Sequence, residues 1–427
     1  MKFKLIIVFY ISILVTLNTF SQTFFQGGIY SDTQWLKSNS PYIITGNVVV
    51  FPGKILTIDP GVEVKFDGNY FLEIRGILQS IGSNGSRIIY TSNASNPQKG
   101  DWVGIKIKNE QGAKASFEYS DFIYSENASS VECCWDGGPI YYKNCTFENN
   151  HFAMTGYTGY EIIIDSCKFT NNTSCISHAD KKITNSIFIE NSYGIDSTER
   201  VSISNSTFNN NEVAIFGGRG LIENCIISGN EIAVKAYNEG FEIRNNVIEN
   251  NGKGLILSSY DGNYPPVKNN TICNNDLNVI NTDDINKDLT SNCWCTSDSA
   301  AIEDKLIDGY DDITLGLFNY DIYNDSCETK LKTIEKVDMA TGIYKSALNS
   351  IVNIYPVPFR VDLNLDFKST GTHKNSISIY NIYGQEVYND VHHNNHVNLN
   401  LENLNAGVYV CFIKTGAIVI KKKLIKI

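Results

Sequence analysis

The sequence has no excess of basic residues. Its 35 Lys and Arg residues are outnumbered by 46 Asp and Glu residues, and the 427-residue chain carries a net charge of −11. Because a phosphate backbone attracts a basic protein surface, this charge argues against nucleic acid as a partner. Charged residues of both signs are sparse, at 19%. The chain instead relies on Asn, Ser, Ile, Tyr and Gly, which favours strands and turns over helices.

Long apolar runs are missing beyond the N-terminus. A basic start is followed there by an apolar run from Leu5 to Leu17 and by small residues at Thr19 and Ser21. This run is shorter than the roughly 20 residues that a transmembrane helix needs. We therefore interpret residues 1–21 as a secretory signal peptide, and we predict no transmembrane span in the rest of the chain.

A repeat of 19 to 24 residues fills the middle of the chain. Each repeat has an aromatic residue or Ile that we use as its anchor, with apolar residues five positions before and seven positions after it. Asn stands three positions after every anchor, and three positions before it in all but one repeat. The anchors are Phe147, Phe169, Phe188, Phe208, Ile227, Ile248 and Ile272.

This pattern describes three short apolar strands per repeat, separated by Asn corners. Asn tolerates the left-handed backbone of a sharp corner, and stacked side-chain amides can bond from one level to the next. The period is too short for a pair of helices, and it suits one coil of a parallel β-helix. Parallel crossovers are almost always right-handed. The predicted fold class is therefore all-β, a right-handed parallel β-helix (solenoid) followed by a small C-terminal β-sandwich.

The domain boundaries follow from where the repeat begins and fades. We assign residues 28–327 to the β-helix with its C-terminal cap, which includes a short helix from Ala300 to Leu306, and residues 328–350 to a linker. An open apolar end of a stack must be covered, which is why we expect the cap. The remaining residues, 351–427, form the predicted sandwich of alternating strands.

The 11 cysteines show no zinc-type spacing, and we predict no metal site. Cysteines in an exported chain favour disulfides, and an odd number leaves at least one thiol without a partner in the chain. Cys145, Cys167 and Cys225 share one column of the repeat, which we interpret as a small buried column, with a Cys145–Cys167 bridge as the alternative. Disulfides are also plausible among Cys133, Cys134, Cys273, Cys293, Cys295 and Cys327.

Three stretches near the start and the end of the repeat resemble a known class of proteins. The stretches PYIITGNVVVFPGKILTIDPGVEVKF and GDWVGIKI look like the opening coils of bacterial right-handed parallel β-helix proteins of the pectate-lyase-like type, and IDGYDDITLGLFNYDIY looks like their closing segment. Cys295 stands where their Asn-x-Trp-Gly motif has Gly. The resemblance implies the fold but not an activity, because this scaffold carries many functions, and no pectate-lyase catalytic residue can be carried over.

The last residues, 351–427, resemble the C-terminal sorting domain of the type IX secretion system of Bacteroidetes. Val357 stands where that family has Asn. The resemblance implies export by the type IX machinery as a partner, and a protein that is secreted or attached to the outer-membrane surface. The positions that carry the resemblance include Tyr355, Pro356, Pro358, Gly384, Gly407 and Tyr409.

Charged residues gather in the segment that follows the third strand of each repeat, where we place a candidate groove. The small residues six positions after each anchor are predicted to face outward beside it as a flat strip. The candidate catalytic residues are Asp180, Lys181, Glu199, Arg200 and Arg219, and the candidate ligand-binding residues are His178, Tyr193, Tyr237 and Glu239. The strip consists of Ala153, Cys175, Gly194, Ala214, Ala233, Gly254 and Asn278.

Two functions fit this arrangement. The leading hypothesis is a non-catalytic role outside the cell, in glycan binding or adhesion, with a polysaccharide or cell-surface glycan as partner. The alternative is a polysaccharide lyase or glycoside hydrolase that acts in the groove, with paired charges as acid and base and Ca²⁺ as the cofactor of a lyase. A solvated row of paired charges explains the same residues without catalysis, and for that case no cofactor is predicted.

Overall fold

The computed structural model describes residues 22–108, 112–132, 139–156, 161–177, 180–259, 264–320, 352–356, 359–367, 375–381, 385–415 and 418–426. The predicted signal peptide and the predicted linker lie outside these residues. The chain divides into two compact units, and each unit is described by itself below.

The first unit is a parallel β-solenoid of about eleven turns. Each strand pairs in parallel with its counterpart one turn earlier and one turn later, so that the strands form three faces. The strands of the first face are Thr33–Trp35, Ile55–Ile58, Ile77–Ile81, Lys114–Glu118, Ile140–Lys143, Glu161–Asp165, Asp180–Thr184 and Val267–Lys268.

The second face carries the anchors. Its strands are Glu63–Phe66, Ile88–Ser92, Ser120–Ile123, Thr146–Glu148, Lys168–Thr170, Ile187–Ile189, Thr207–Asn209, Ile226–Ser228, Val247–Glu249 and Thr271–Cys273. The third face consists of Phe71–Ile74, Trp102–Lys108, Ser125–Glu132, Phe152–Gly156, Ser174–Ser177, Lys253–Leu257, Leu277–Asn281 and Leu306–Ile307.

Five longer strands bend from one face into the next. Thr23–Ile29 and Tyr42–Val50 belong to the second and third faces, with a 3-10 helix at Lys37–Asn39 between them. The other three join the third face to the first face of the following turn, and they are Tyr193–Ser204, Val213–Glu223 and Ile232–Arg244. The solenoid thus begins at Thr23, before the predicted boundary at residue 28, because Thr23 already pairs with Tyr42.

The anchors stack directly over one another, as predicted. Phe188 pairs with Phe208, and Phe208 pairs with Ile227 on the next turn. The rings of Phe188 and Phe208 lie nearly parallel with centroids 4.5 Å apart, and Phe169 and Phe188 are 4.6 Å apart. All of these anchors are buried. Offset ring stacking adds to the free energy of burying this apolar surface, so the anchor column is the centre of the core.

The Asn residues three positions after the anchors form a buried amide ladder. Asn172 donates its backbone N–H and its side-chain Nδ2 to Oδ1 of Asn191, at 2.8 and 3.1 Å, and Asn191 makes the same bonds to Asn211. The residue before each ladder position is the left-handed corner, for example Asn171 and Asn210. The ladder satisfies buried backbone groups at every corner, which confirms the predicted stacking of amides.

The Asn residues three positions before the anchors have the left-handed backbone predicted for them, with φ values of 50° to 59°, and Ser166 takes the same conformation. The next column holds the cysteines. Cys145, Cys167 and Cys225 are buried free thiols, so the bridge between Cys145 and Cys167 is not formed. Burial raises the pKa of Cys225 to about 12, which keeps this thiol protonated and unreactive.

The C-terminal cap contains the predicted short helix, which spans Ser299–Glu303 and buries Ile302. The side chain of Asp298 caps its first backbone N–H groups. A two-stranded pairing of Lys287–Asp288 with Phe318–Asn319 completes the closure. Cys295 adopts a left-handed backbone with φ of 60°, a conformation that Gly takes readily, and it forms a disulfide with Cys273. Cys293 is also disulfide-bonded, and Cys133, Cys134 and Cys327 lie outside the described residues.

The second unit is a small antiparallel sandwich with its own core. One sheet consists of Val352–Tyr355, Asp362–Phe367 and His396–Asn400, and the other of Asn375–Asn381, Glu386–His392, Gly407–Thr415 and Ile418–Lys426. Leu363 and Leu365 of the first sheet share a buried cluster with Ile377 and Cys411 of the second. Inward side chains from both sheets make this core, as alternating strands require.

Candidate ligand-binding face

The third face of the solenoid presents a row of side chains to solvent. These residues stand five positions after the anchors and pair with one another from turn to turn. Phe152 and Tyr193 are each 38% exposed, and Ser174, which is buried, lies between them. We call this set the outer row, and its members from Phe152 onward are Phe152, Ser174, Tyr193, Val213, Ile232, Lys253 and Leu277.

The flat outward strip was wrongly placed by one residue. Ala153, Cys175, Ala214 and Ala233 are fully buried, next to the equally buried apolar residues that follow them. Strict alternation fails here because the strand leaves the Asn corner with two successive residues turned inward. A Cβ on Gly194 would lie 2.4 Å from the carbonyl of Ala214 and 3.2 Å from the ring of Phe208. These residues are therefore small because they pack against the anchor column.

A second outward row runs beside the outer row. It brings Asp196, Phe216 and Lys235 into register on consecutive turns. The Lys235 ammonium lies 5.6 Å from the centre of the Phe216 ring, within range of a cation–π contact. Tyr237 is 44% exposed, and its ring stacks near Phe216 with centroids 6.2 Å apart. Aromatic and charged groups thus lie together on one flat sheet.

The side chain of Lys181 is not exposed on this face of the solenoid. It occupies an inward position, paired with Ile162 on one side and Val201 on the other, and it is 3% exposed. Its ammonium donates a 2.8 Å hydrogen bond to the carbonyl of Ser177. A buried ammonium needs such partners, because burial of an unpaired charge is costly. The position of Lys181 fits a structural role better than that of a base in a groove.

The two predicted arginines do come together. Arg200 is exposed and pairs in register with Arg219, which is half-buried on the next turn. The backbones of Asp180, Glu199 and Glu239 lie in strands, but their side chains are outside the described part of the structure, and so is His178. The described residues therefore bring together Arg200 with Arg219, and Tyr237 with the second outward row.

Among the described residues, no group of three or more His, Cys, Asp or Glu side chains is arranged to hold a metal ion. Phe152 and Phe216 were not predicted to lie on the surface. The sequence did contain a sign of this outward column. The fifth position after the anchor holds aromatic, aliphatic, hydroxyl and charged residues in different repeats. A column that tolerates such changes does not need to fit the same side chain above and below it.

The sorting-domain positions are partly described. Tyr355 is 39% exposed and donates to Asp366, and Tyr409 is buried and donates to the carbonyl of Asn405. The peptide bond between Tyr355 and Pro356 is cis. Gly407 begins the strand Gly407–Thr415. Pro358 and Gly384 lie outside the described residues.

The two units together define a class, a parallel β-solenoid followed by a separate antiparallel sandwich. Residues 353–427 match the family model of the secretion system C-terminal sorting domain. The protein is therefore exported by type IX secretion and is either released or displayed on the cell surface. In the part of the chain that is described, no helix has the length and apolar character needed to cross a bilayer.

Two further likenesses concern other proteins. A stretch of 76 residues is 41% identical to Protein bark beetle of Drosophila melanogaster, which is 18% of this chain and 2% of that much longer protein. The solenoid is similar to the crystal structure of the periplasmic alginate epimerase AlgG, with a TM-score of 0.34 and 12% identity, over 65% of this chain and 77% of that chain. Neither match assigns a ligand or an activity here.

Proposed function

We propose that the solenoid is a non-catalytic glycan-binding module that acts outside the cell, and that the outer row is its binding surface. The observation that carries this proposal is the pair of exposed rings, Phe152 and Tyr193, two turns apart on one flat face. Aromatic rings on an open sheet stack on the apolar faces of pyranose sugars. Export by type IX secretion brings such a surface to extracellular polysaccharides.

The spacing of the rings supports a chain-like ligand. Neighbouring turns are about 4.8 Å apart, so Phe152 and Tyr193 are separated by roughly 10 Å. Two pyranose rings of an extended glycan span a similar length. The hydroxyl of Ser174, buried between the rings, has no hydrogen-bond partner among the described residues, so a rotation toward the surface would let it bond to a sugar hydroxyl. Lys235 and Asp196 add polar groups beside the row.

The test is a panel of neutral and uronate polysaccharides applied to the exported full chain. We expect binding without turnover, and a loss of affinity of about two- to twelvefold for Tyr193→Ala, since a stacking contact contributes about 0.5–1.5 kcal/mol. Tyr310→Ala is the matched control, because Tyr310 is 78% exposed in the cap and far along the chain from the row. Unchanged binding by Tyr193→Ala would refute the proposal.

The enzymatic alternative is measured in the same samples. Reducing ends report a hydrolase, and the ultraviolet absorbance of unsaturated uronates reports a lyase. The observation that supports this alternative is the pairing of Arg200 with Arg219. Two guanidinium groups on adjacent turns can bind a carboxylated sugar. Turnover that is lost in Arg200→Ala would replace the binding proposal with an enzymatic one.

A further inference from the structure

A buried lysine lies at the closing end of the solenoid. Lys287 is 2% exposed at the start of the strand that pairs with Phe318–Asn319. Its Nζ lies 2.5 Å from Oδ1 of Asn281, 2.6 Å from Oδ1 of Asp283 and 3.3 Å from the carbonyl oxygen of Ile285. The buried ammonium of Lys287 therefore contacts a carboxamide and a carboxylate at the same time.

Burial and the polar neighbours act on the charge of Lys287 in opposite directions. The ring of Tyr264 lies 5.6 Å from Nζ, where a cation–π contact favours the charged form, whereas burial near Leu289 and Phe318 disfavours it. Desolvation lowers the pKa of Lys287, although its bonds to Asp283 work in the opposite direction. A lysine in such a site can transfer its proton to a neighbouring base and become a nucleophile.

The carboxamide of Asn281 is held as an acceptor for that nucleophile. Its Nδ2 donates to the carbonyl oxygens of Gly316, at 2.7 Å, and Ile285, at 3.1 Å, which fixes the amide plane and leaves Oδ1 on the side of Lys287. The backbone N–H of Asp283 donates to Oδ1 at 3.3 Å. A donor at this oxygen stabilises the negative charge that develops when an amine adds to the amide carbon.

Asp283 is placed to move the proton. Its carboxylate accepts hydrogen bonds from the backbone N–H groups of Ser259, at 2.6 Å, and Ile285, at 2.9 Å. It also accepts the hydrogen bond from Lys287. Burial works to raise the pKa of Asp283, but these hydrogen bonds outweigh it and lower the pKa. The carboxylate is thus fixed within hydrogen-bond reach of the proton that Lys287 must lose.

We propose that Lys287 and Asn281 join in an intramolecular isopeptide bond, formed by the folded protein itself with Asp283 as the proton carrier. Nζ transfers a proton to Asp283 and attacks Cγ of Asn281. The new C–N bond forms, the Cγ–Nδ2 bond breaks as Asp283 returns its proton to the departing nitrogen, and the released ammonia takes the remaining extra proton from Nζ. An ammonium side chain and a primary amide become a secondary amide and an ammonium ion, so that atoms and charge balance without any co-reactant. The fixed contact of the groups supplies the proximity that an amide of low reactivity requires.

The test is mass spectrometry of the purified full chain after reduction and alkylation of its cysteines. We expect the intact mass to be lower than the sequence mass of the mature chain by one ammonia. Trypsin does not cleave after a lysine whose amine is acylated, so residues 269–305 should appear as one peptide that is lighter by one ammonia. Without the bond, cleavage after Lys287 separates residues 269–287 from residues 288–305.

Two variants and two controls sharpen the result. Lys287→Arg keeps a buried cation but has no nucleophilic amine, and Asp283→Asn removes the proton carrier, so both should show the full mass. Lys305→Arg and Asp284→Asn, which change a half-buried and an exposed group of the same region, should still lose one ammonia. Wild-type protein that is folded by circular dichroism, has the full mass and is cleaved after Lys287 would overturn the proposal. Deamidation of Asn281 would also overturn it, since its product is heavier and is still cleaved.

Discussion

The corner after the second face and the segment after the third face behave very differently. Each corner repeats the same design, with a left-handed residue followed by a ladder Asn, next to a stacked anchor. The segment after the third face changes its chemistry from turn to turn, from a buried lysine to paired arginines to a stacked tyrosine. In a stack, a residue meets its own counterpart above and below, so repetition marks positions that hold the stack together, and variety marks positions that are available to ligands.

The largest effect should come from breaking the anchor column. Phe188 is fully buried between Phe169 and Phe208, so Phe188→Ala removes two ring contacts and leaves a cavity. We expect a loss of about 3–5 kcal/mol in the free energy of unfolding. Urea unfolding followed by circular dichroism measures it. Phe24→Ala is the control, because Phe24 is 65% exposed and its removal should cost no more than about 0.5 kcal/mol. Equal losses for the two variants would contradict the anchor column as the core.

The amide ladder should give the next largest effect. Asn191→Leu keeps the size of the side chain but removes the acceptor of the backbone and side-chain N–H groups of Asn172, and the donor to the carbonyl of Phe169. Each buried group left without a partner costs about 1–3 kcal/mol, and partial rearrangement should limit the total to about 2–4 kcal/mol.

Hydrogen exchange locates this loss. The amide of Asn172 should exchange faster in Asn191→Leu, while amides several turns away keep their protection. Asn209→Ala is the matched control, because Asn209 is half-buried and its side chain makes one hydrogen bond, to the carbonyl of Ser228. If Asn209→Ala lowered the free energy of unfolding as much as Asn191→Leu, the buried ladder would stabilise the fold no more than a half-buried side-chain hydrogen bond does.

The columns of Phe, Ile and Asn could be predicted from the sequence because their neighbours in space are the same positions of adjacent repeats. Knowing the period was enough to place Phe188 over Phe208. The three free thiols of the cysteine column could be predicted as buried, but the absence of a Cys145–Cys167 bridge could not, since that depends on how closely these two side chains approach.

The candidate site could be predicted only in outline. Alternation suggested the sixth position after the anchor as the outward one, but the bend after the Asn corner turns Ala153 and Met154 inward together. Lys181 was predicted to line the groove because it belongs to the row of charges after the third strand, whereas its column places it between Ile162 and Val201. The site around Lys287 has no repeated pattern, since Asn281, Asp283 and Lys287 occur once, in the cap. Their contact follows from how the closing turn folds back.

The smallest expected effect tests whether the sixth position after each anchor faces inward, next to the outward-facing residues of the outer row. In Gly194→Ala the new methyl group would lie 2.4 Å from the carbonyl oxygen of Ala214, closer than such atoms can approach, so the backbone or the anchor ring must shift. We expect a loss of about 1–3 kcal/mol in the free energy of unfolding, measured by urea unfolding as above. Gly85→Ala is the control, because nothing lies within 4 Å of the added methyl group, and it should be neutral or slightly stabilising. If Gly194→Ala were as harmless as Gly85→Ala, the sixth position would face solvent after all, and the outer row would lose its place as the ligand-facing column.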